Sequence, residues 1–134
     1  MVRSSKPGSR YPADWREISN RVKDAAGWKC VRCGAEHIDQ SGYRLTIHHL
    51  DMDPGNSRWW NLLPLCCVCH LQIQHKVDLT RPWVMTEHSE WIRPYIAGWY
   101  AFRYLGVELS REECECRLDE LLQLERAAVL GVAS

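Results

Sequence analysis

The sequence has 134 residues, of which 46% are hydrophobic, and its 17 basic and 17 acidic side chains give a formal net charge of zero. This length fits one domain with a core of its own, and no apolar run approaches the roughly 18 residues that cross a membrane. A net charge of zero argues against a protein that coats a polyanion through charge alone.

The N-terminal part is predicted to be a polar arm followed by a helix. Residues 1–12 contain Gly and Pro, and no apolar stretch follows their basic residues, which predicts a flexible arm and not a secretory signal. Residues 13–26 have the apolar spacing of a helix, with Trp15, Ile18 and Val22 on one side, and Gly27 ends it. Residues 1–29 hold seven Lys or Arg against three Asp or Glu. This surplus allows a local phosphate-binding face in spite of the neutral total.

Two strands and a short helix are predicted in the middle of the chain. Apolar and polar residues alternate through residues 43–50, as in a half-buried strand. The run Asp-Pro-Gly-Asn at 53–56 is a strong turn signal, and a second strand is expected at 62–65. A short helix from residue 69 to about 77 completes this unit.

The C-terminal part is predicted to be helical. Residues 83–104 concentrate aromatic side chains that must be buried, so we expect this part to pack on the protein's own core; a dimer or partner surface is the alternative. Ser110 and Glu113 have the spacing of a capping box, which predicts a helix running towards Leu130. The predicted organisation is therefore an arm (1–12), a central domain (13–80) and a helical extension (81–134).

Four of the seven cysteines form two Cys-x-x-Cys pairs, Cys30 with Cys33 and Cys66 with Cys69. Each pair can present two thiolates to one ion, and four thiolates close a tetrahedral zinc site that keeps no open position. Such a site is structural; redox or buried thiols are the alternative. Without an export signal, the reduced thiols of a cytoplasm fit better than disulfides. Cys67, Cys114 and Cys116 are assigned no role.

Three histidines and one asparagine form a pattern that is typical of a catalytic site, separate from the cysteine pairs. His48 and His49 end the first predicted strand, and two adjacent strand residues can serve one site only where the backbone turns. His70 begins the following helix, and Asn61 lies between. Histidine can act as a base near neutrality or as a neutral metal ligand. The pattern predicts a metal-assisted hydrolytic site; a role for His75 stays open.

These residues together resemble the HNH endonucleases of the ββα-metal (His-Me finger) superfamily. The resemblance rests on Ile47-His48-His49-Leu50-Asp51, then Asn61 to Cys66, then Cys69-His70, with Cys30 and Cys33 ahead of them as in the zinc-bearing subclass. It covers roughly residues 13–77. It implies an α+β fold, namely a small zinc-stabilised ββα-metal motif with a flanking N-terminal helix and C-terminal helices.

The resemblance also implies roles for individual residues. His49 would be the general base, and His48 would be a metal ligand at a position where many members carry aspartate. His70 would be the other ligand of the catalytic ion, and Asn61 would brace the loop that holds His49. The four paired cysteines would hold a structural Zn²⁺.

The implied activity is metal-dependent hydrolysis of phosphodiester bonds, with DNA as the expected partner in a bacterial or phage setting. The catalytic divalent ion is left open among Mg²⁺, Mn²⁺, Ni²⁺ and Zn²⁺, although two imidazoles suit transition ions better than magnesium. The candidates for phosphate contacts are Arg16, Arg21, Lys23 and Arg58. Trp59 and Trp60 could stack on nucleic acid, but at least one is expected in the core.

Other interpretations remain at this point. A zinc-stabilised nucleic-acid-binding module without catalysis would keep the cysteines and the basic helix but would not need His49. Cys66-x-x-Cys69-His70 also has the spacing of a c-type haem attachment site, against which the missing export signal and the unexplained Cys30 and Cys33 count. A toxin or adaptor that binds a protein through its helical tail is compatible with nuclease activity. The sequence does not decide between DNA and RNA.

Overall fold

The computed structural model describes residues 11–73 and 89–125 and gives an α+β fold, as predicted. Its helices are α1 (Trp15–Ala25), α2 (Cys67–Ile73), α3 (Arg93–Tyr100), α4 (Arg111–Cys116) and α5 (Leu118–Leu122). Its strands are β1 (Leu45–His49) and β2 (Leu62–Cys66). No helix within the described ranges is long and apolar enough to cross a bilayer.

The two strands form an antiparallel hairpin that α2 follows without a loop. Leu45 pairs with Cys66 at one end and His49 pairs with Leu62 at the other. All five residues of β2 are buried, because this strand lies between other elements of the fold. The predicted turn is present, since the backbone N–H of Asn56 donates to the carbonyl of Asp53 at 3.1 Å.

The C-terminal helices share one hydrophobic core with the hairpin. This cluster joins Leu63, Leu65 and Ile73 of the hairpin unit to Ile96 and Leu121 of the extension. Trp60 is 2% exposed and its ring lies 5.6 Å from that of Phe102. The expectation that the extension packs on the protein's own core, and that at least one of the paired tryptophans is buried, is therefore confirmed.

The extension differs from the predicted pair of long helices. A π-helical turn (Ala101–Leu105) follows α3 directly. The capping box is confirmed, because the Ser110 side chain accepts from the Glu113 backbone while the Glu113 carboxylate accepts from the Ser110 backbone. The single helix expected from there is interrupted at Arg117 (φ −114°, ψ 23°), and no proline or glycine signals this break. Four predicted features lie outside the described residues: the arm up to residue 10, the 80/81 boundary, His75 and the run towards Leu130.

Gly98 marks the closest approach between α3 and the hairpin unit. A Cβ at this position would lie 2.7 Å from Cβ of Trp60 and 2.9 Å from its Cγ. These atoms cannot move aside as the end of a flexible side chain can, because they are held at the root of a buried ring.

We expect Gly98→Ala to lower the free energy of unfolding by about 1–2 kcal/mol, since overpacking costs about 1–3 kcal/mol and the gain in helix propensity is about 1 kcal/mol at most. Urea denaturation would measure this. Gly42→Ala is the control, because its Cβ would meet only Cγ2 of the exposed Val68, at 3.1 Å. Equal midpoints for the Gly98 variant and the unaltered protein would contradict the described packing.

Candidate active site and metal centre

The hairpin and α2 bring the three predicted histidines and Asn61 to one region. His49 is the last residue of β1, and Asn61 directly precedes β2. The backbone N–H of Leu50 donates to the Asn61 carbonyl at 2.9 Å, which extends the pairing one step beyond the strands. The loop between these residues is therefore anchored at both ends beside His49.

Asn61 fixes this loop through its side chain. It is fully buried, its Oδ1 accepts from the backbone N–H of Asp51 at 2.7 Å, and its Nδ2 donates to the carbonyl of Asn56 at 2.8 Å. Asp51 adds a second link, because its carboxylate accepts from Nδ2 of Asn56 at 2.7 Å. Both ends of the amide are used, so aspartate or leucine could not replace it without leaving a buried polar group unpaired.

His48 and His70 meet on the side of the hairpin that faces α2. Nδ1 of His48 and Nε2 of His70 lie 3.3 Å apart, with the two rings nearly perpendicular. Thr46 is two residues before His48 and therefore lies on the same face of the strand. Its side chain also contacts His70. Its Oγ1 is 2.9 Å from the carbonyl of Leu65 and 2.9 Å from Nδ1 of His70.

The threonine hydroxyl determines which nitrogen of His70 carries the proton. A hydroxyl has one proton to donate, and a carbonyl can only accept. The proton of Thr46 therefore points to Leu65, and the hydroxyl accepts from Nδ1–H of His70. Nε2 of His70 then keeps its lone pair, directed at His48. Burial lowers the pKa of His70, which favours this neutral form.

The pair fits a metal ion by distance and by donor type. Two nitrogens bound to one tetrahedral ion at roughly 2.0–2.1 Å lie about 3.3–3.4 Å apart, and the separation here is 3.3 Å. A ligand histidine commonly donates its other N–H to an oxygen, which fixes its orientation. Thr46 supplies that oxygen for His70.

Thr46→Val should weaken binding of the catalytic ion about 10- to 100-fold. Valine keeps the branched shape and the strand preference, but the Nδ1–H of His70 loses its acceptor and the tautomer is no longer fixed. Calorimetric titration with Mn²⁺ or Ni²⁺ would measure the affinity. Thr46→Ser, which keeps the hydroxyl, is the control. Equal affinities for valine and serine would show that the hydroxyl does not orient His70.

His49 lies on the other side of β1 from His48, against aromatic side chains. Its ring centroid is 5.0 Å from that of Trp15 and 5.7 Å from that of Tyr11. The residue is 8% exposed, and its Nε2 is buried with no hydrogen-bond partner in the part of the chain that the structure describes. Burial lowers the pKa of His49, and the charges of Asp51 and Asp53 offset only part of this effect. A neutral imidazole with an unused ring nitrogen is suited to accept a proton.

The four paired cysteines form one cluster. Their sulfur atoms all lie within 4.8 Å of one another, and the Sγ atoms of Cys33 and Cys66 are 3.8 Å apart. Sulfurs bound tetrahedrally at roughly 2.3 Å would be separated by about 3.8 Å, so the cluster fits zinc. Burial raises the pKa of Cys69 to about 12. Because the buried thiol resists ionisation without a metal, zinc binding must release protons, and its affinity must fall in acid.

The remaining predicted residues lie in different surroundings. Arg58 pairs with Glu108, and its guanidinium lies 4.1 Å from the centroid of Phe102, so Glu108 would compete with a phosphate for this side chain. Trp59 donates from Nε1 to the carbonyl of Leu109 at 2.8 Å. Three basic residues are carried on α1: Arg16, Arg21 and Lys23.

Comparison with known proteins agrees with this geometry. Residues 30–76 match the family model described as HNH endonuclease. The chain contains an HNH endonuclease domain. The chain is similar to Zorya protein ZorE of Escherichia coli (strain ATCC 8739), with 31% identity over 65 residues, which are 48% of this chain and 17% of that protein. The chain thus spans about one sixth of the length of this relative. No solved structure matches significantly.

Sequence reasoning missed the residues that surround the histidines. Thr46 could have been found, because the period of two along β1 places it on the face of His48. Tyr11 lies four residues before Trp15, in the segment that precedes α1, and the helical spacing placed Trp15 with Ile18 and Val22. Nothing in the local pattern indicated that these two rings would cover His49.

Proposed function

We propose that this chain is a metal-dependent HNH endonuclease that hydrolyses phosphodiester bonds in DNA, with His49 as the general base. The observation that carries the proposal is Nε2 of His49, which is buried and has no hydrogen-bond partner among the described residues. His49 directly follows His48, one of the two candidate metal ligands, at the end of β1. A buried polar atom without a partner costs about 1–3 kcal/mol. Such an atom in an HNH domain is explained by a reaction that uses it.

The proton transfers follow from the state of His49. A water molecule beside the scissile phosphate loses a proton to Nε2 of His49 as its oxygen attacks phosphorus. The bond from phosphorus to the leaving oxygen breaks, and that oxygen takes a proton from solvent. Because Tyr11 and Trp15 lie against the His49 ring, these side chains must shift to admit water, which is consistent with the loose geometry of many substrate-free sites.

His48 and His70 are the residues that would hold the catalytic ion, through Nδ1 and Nε2 respectively. A divalent ion bound there would offset negative charge on the phosphate and the leaving oxygen. Thr46 keeps His70 in the ligand tautomer, and Asn61 keeps the following loop in place. With two imidazole nitrogens as donors, Mn²⁺, Ni²⁺ and Zn²⁺ are better suited than Mg²⁺.

A second ion, Zn²⁺ on Cys30, Cys33, Cys66 and Cys69, is proposed to be structural. All four positions of a tetrahedral ion would be filled, so substrate could not reach it. It would tie the loop before β1 to the junction between β2 and α2, and thereby hold His70 relative to His48.

Incubation of the full chain with supercoiled plasmid and a series of divalent ions tests the activity. We expect nicked or linear DNA with Mn²⁺ or Ni²⁺ and little product without added metal. A protein that retards DNA on a gel but cleaves it with none of the ions would favour the alternative of a binding module without catalysis.

A further inference from the structure

A groove of about 510 Å³ runs beside β1, on the side of the strand that faces α1. It is polar and is lined by two basic side chains, Lys23 of α1 and Arg44, which directly precedes β1. One carboxylate, Asp39, also lines it and lies 2.6 Å from the His37 ring. One end is formed by Tyr11 and Trp15, the two rings that also lie against His49. The groove therefore borders the two rings that cover the proposed catalytic base.

The two cations lie within electrostatic range of each other. Burial lowers the pKa of Lys23, and the charge of Arg44 lowers it further, while Asp39 acts in the opposite direction. Among the described residues, neither cation forms an ion pair with a carboxylate. The side chain of Arg44 donates from Nη2 to Sγ of Cys67 at 3.9 Å. Two like charges in one groove repel, and an anion between them would turn this repulsion into attraction.

Aromatic rings accompany the charges. Tyr11 is 41% exposed, and the half-buried rings of Trp15 and Trp28 also line the groove. Cationic grooves with accessible aromatic rings are typical of sites for unpaired nucleic acid, where phosphates contact the cations and bases stack on the rings. A duplex could use the cations but not the rings, because its bases are already stacked and paired.

We propose that this groove binds an unpaired segment of the substrate strand, with a phosphate between Lys23 and Arg44 and a base against Tyr11. The proposal rests on the proposed nuclease function and adds the form of nucleic acid that the site takes. Arg44 is five residues before His49, which is about 17 Å along an extended strand. The bound segment would therefore begin a few nucleotides from the scissile phosphate.

The test measures binding separately from cleavage. Fluorescence anisotropy of a labelled single-stranded DNA oligonucleotide and of its duplex is recorded with the full chain, without added catalytic metal. The variants are Lys23→Gln with Arg44→Gln, and Tyr11→Ala with Tyr11→Phe as its conservative partner. Lys29→Gln with Arg103→Gln is the matched control, because it removes the same two charges outside the groove. Circular dichroism and zinc content show that each variant is folded.

The double variant should bind the single strand at least about fivefold more weakly. Its salt dependence should become shallower by about 0.7, because the proposal places one phosphate between the two cations. Tyr11→Ala should lose about fivefold or more in single-strand affinity, and Tyr11→Phe little. The affinity of these variants for the duplex should change much less. The control variant, Lys29→Gln with Arg103→Gln, should also show a much smaller change in single-strand affinity.

Other outcomes separate the two proposals. Cleavage by the unaltered protein, together with equal losses on single strand and duplex or no loss on either, would overturn the groove and leave the nuclease intact. Absence of both binding and cleavage would overturn the nuclease function and the groove together.

Discussion

Replacing His49 by alanine should lower the rate of plasmid cleavage by about 10²- to 10⁴-fold, the usual contribution of a positioned base. The variant removes the nitrogen that we propose takes the proton from water, but it leaves His48, His70 and the four cysteines in place. Cleavage under single-turnover conditions with saturating Mn²⁺ would measure the effect. Added imidazole should restore part of the lost rate, because it can accept the proton in place of the missing ring.

His48→Ala provides the contrast that separates a base from a ligand. The loss of cleavage rate in His48→Ala should become smaller as the concentration of the divalent ion is raised, because this variant lacks one of the two protein ligands. The loss of rate in His49→Ala should persist at every concentration of the ion. If His49→Ala cleaved DNA at the unaltered rate, another group would have to be the base. If both variants responded alike to added metal, the two histidines would share the ligand role.

Much of the hairpin unit was predictable because its signals are local. The strand predicted within residues 43–50, the turn at residues 53–56 and the capping box at Ser110 each depend on residues close in sequence, and each appears in the structure. The predicted alternation of burial along β1 does not appear, because Ile47 is half-buried and His48 is buried. The break at Arg117 was not predictable, since helical spacing continues through it. Its position depends on how α4 and α5 pack on α3, which no short stretch of sequence encodes.

The sequence indicated which residues form the candidate site, but it did not indicate which side chains they contact. The spacing of His48, Asn61 and His70 indicated a shared site, and the structure brings His48 and His70 within 3.3 Å. The position of Arg58 could not be inferred, because its partner Glu108 is 50 residues away and belongs to the extension. The cover on His49 likewise depends on how α1 lies across the hairpin. Contacts between distant segments were thus the part that sequence spacing left undetermined.

Cys33→Ser should release the structural zinc and unfold the HNH domain. Structural zinc contributes about 10–16 kcal/mol of apparent binding energy in zinc-finger peptides, which equals or exceeds the total stability of an ordinary domain, about 5–15 kcal/mol. Loss of one thiolate should forfeit a large part of this energy. Zinc content by elemental analysis and thermal unfolding by circular dichroism would measure the result.

Cys116→Ser is a closely matched control for that variant. Both cysteines are exposed, so the two substitutions have similar direct effects on packing, but only Cys33 belongs to the four-sulfur cluster. We expect Cys116→Ser to keep one bound zinc and an unchanged melting temperature. We expect Cys33→Ser to lose the zinc and to show no folded state that melts cooperatively. Lowering the pH should release zinc from the unaltered protein, because the buried Cys69 thiol, with its pKa raised to about 12, regains its proton. A Cys33→Ser protein that keeps its zinc and its melting temperature would show that the cluster is not a four-thiolate site.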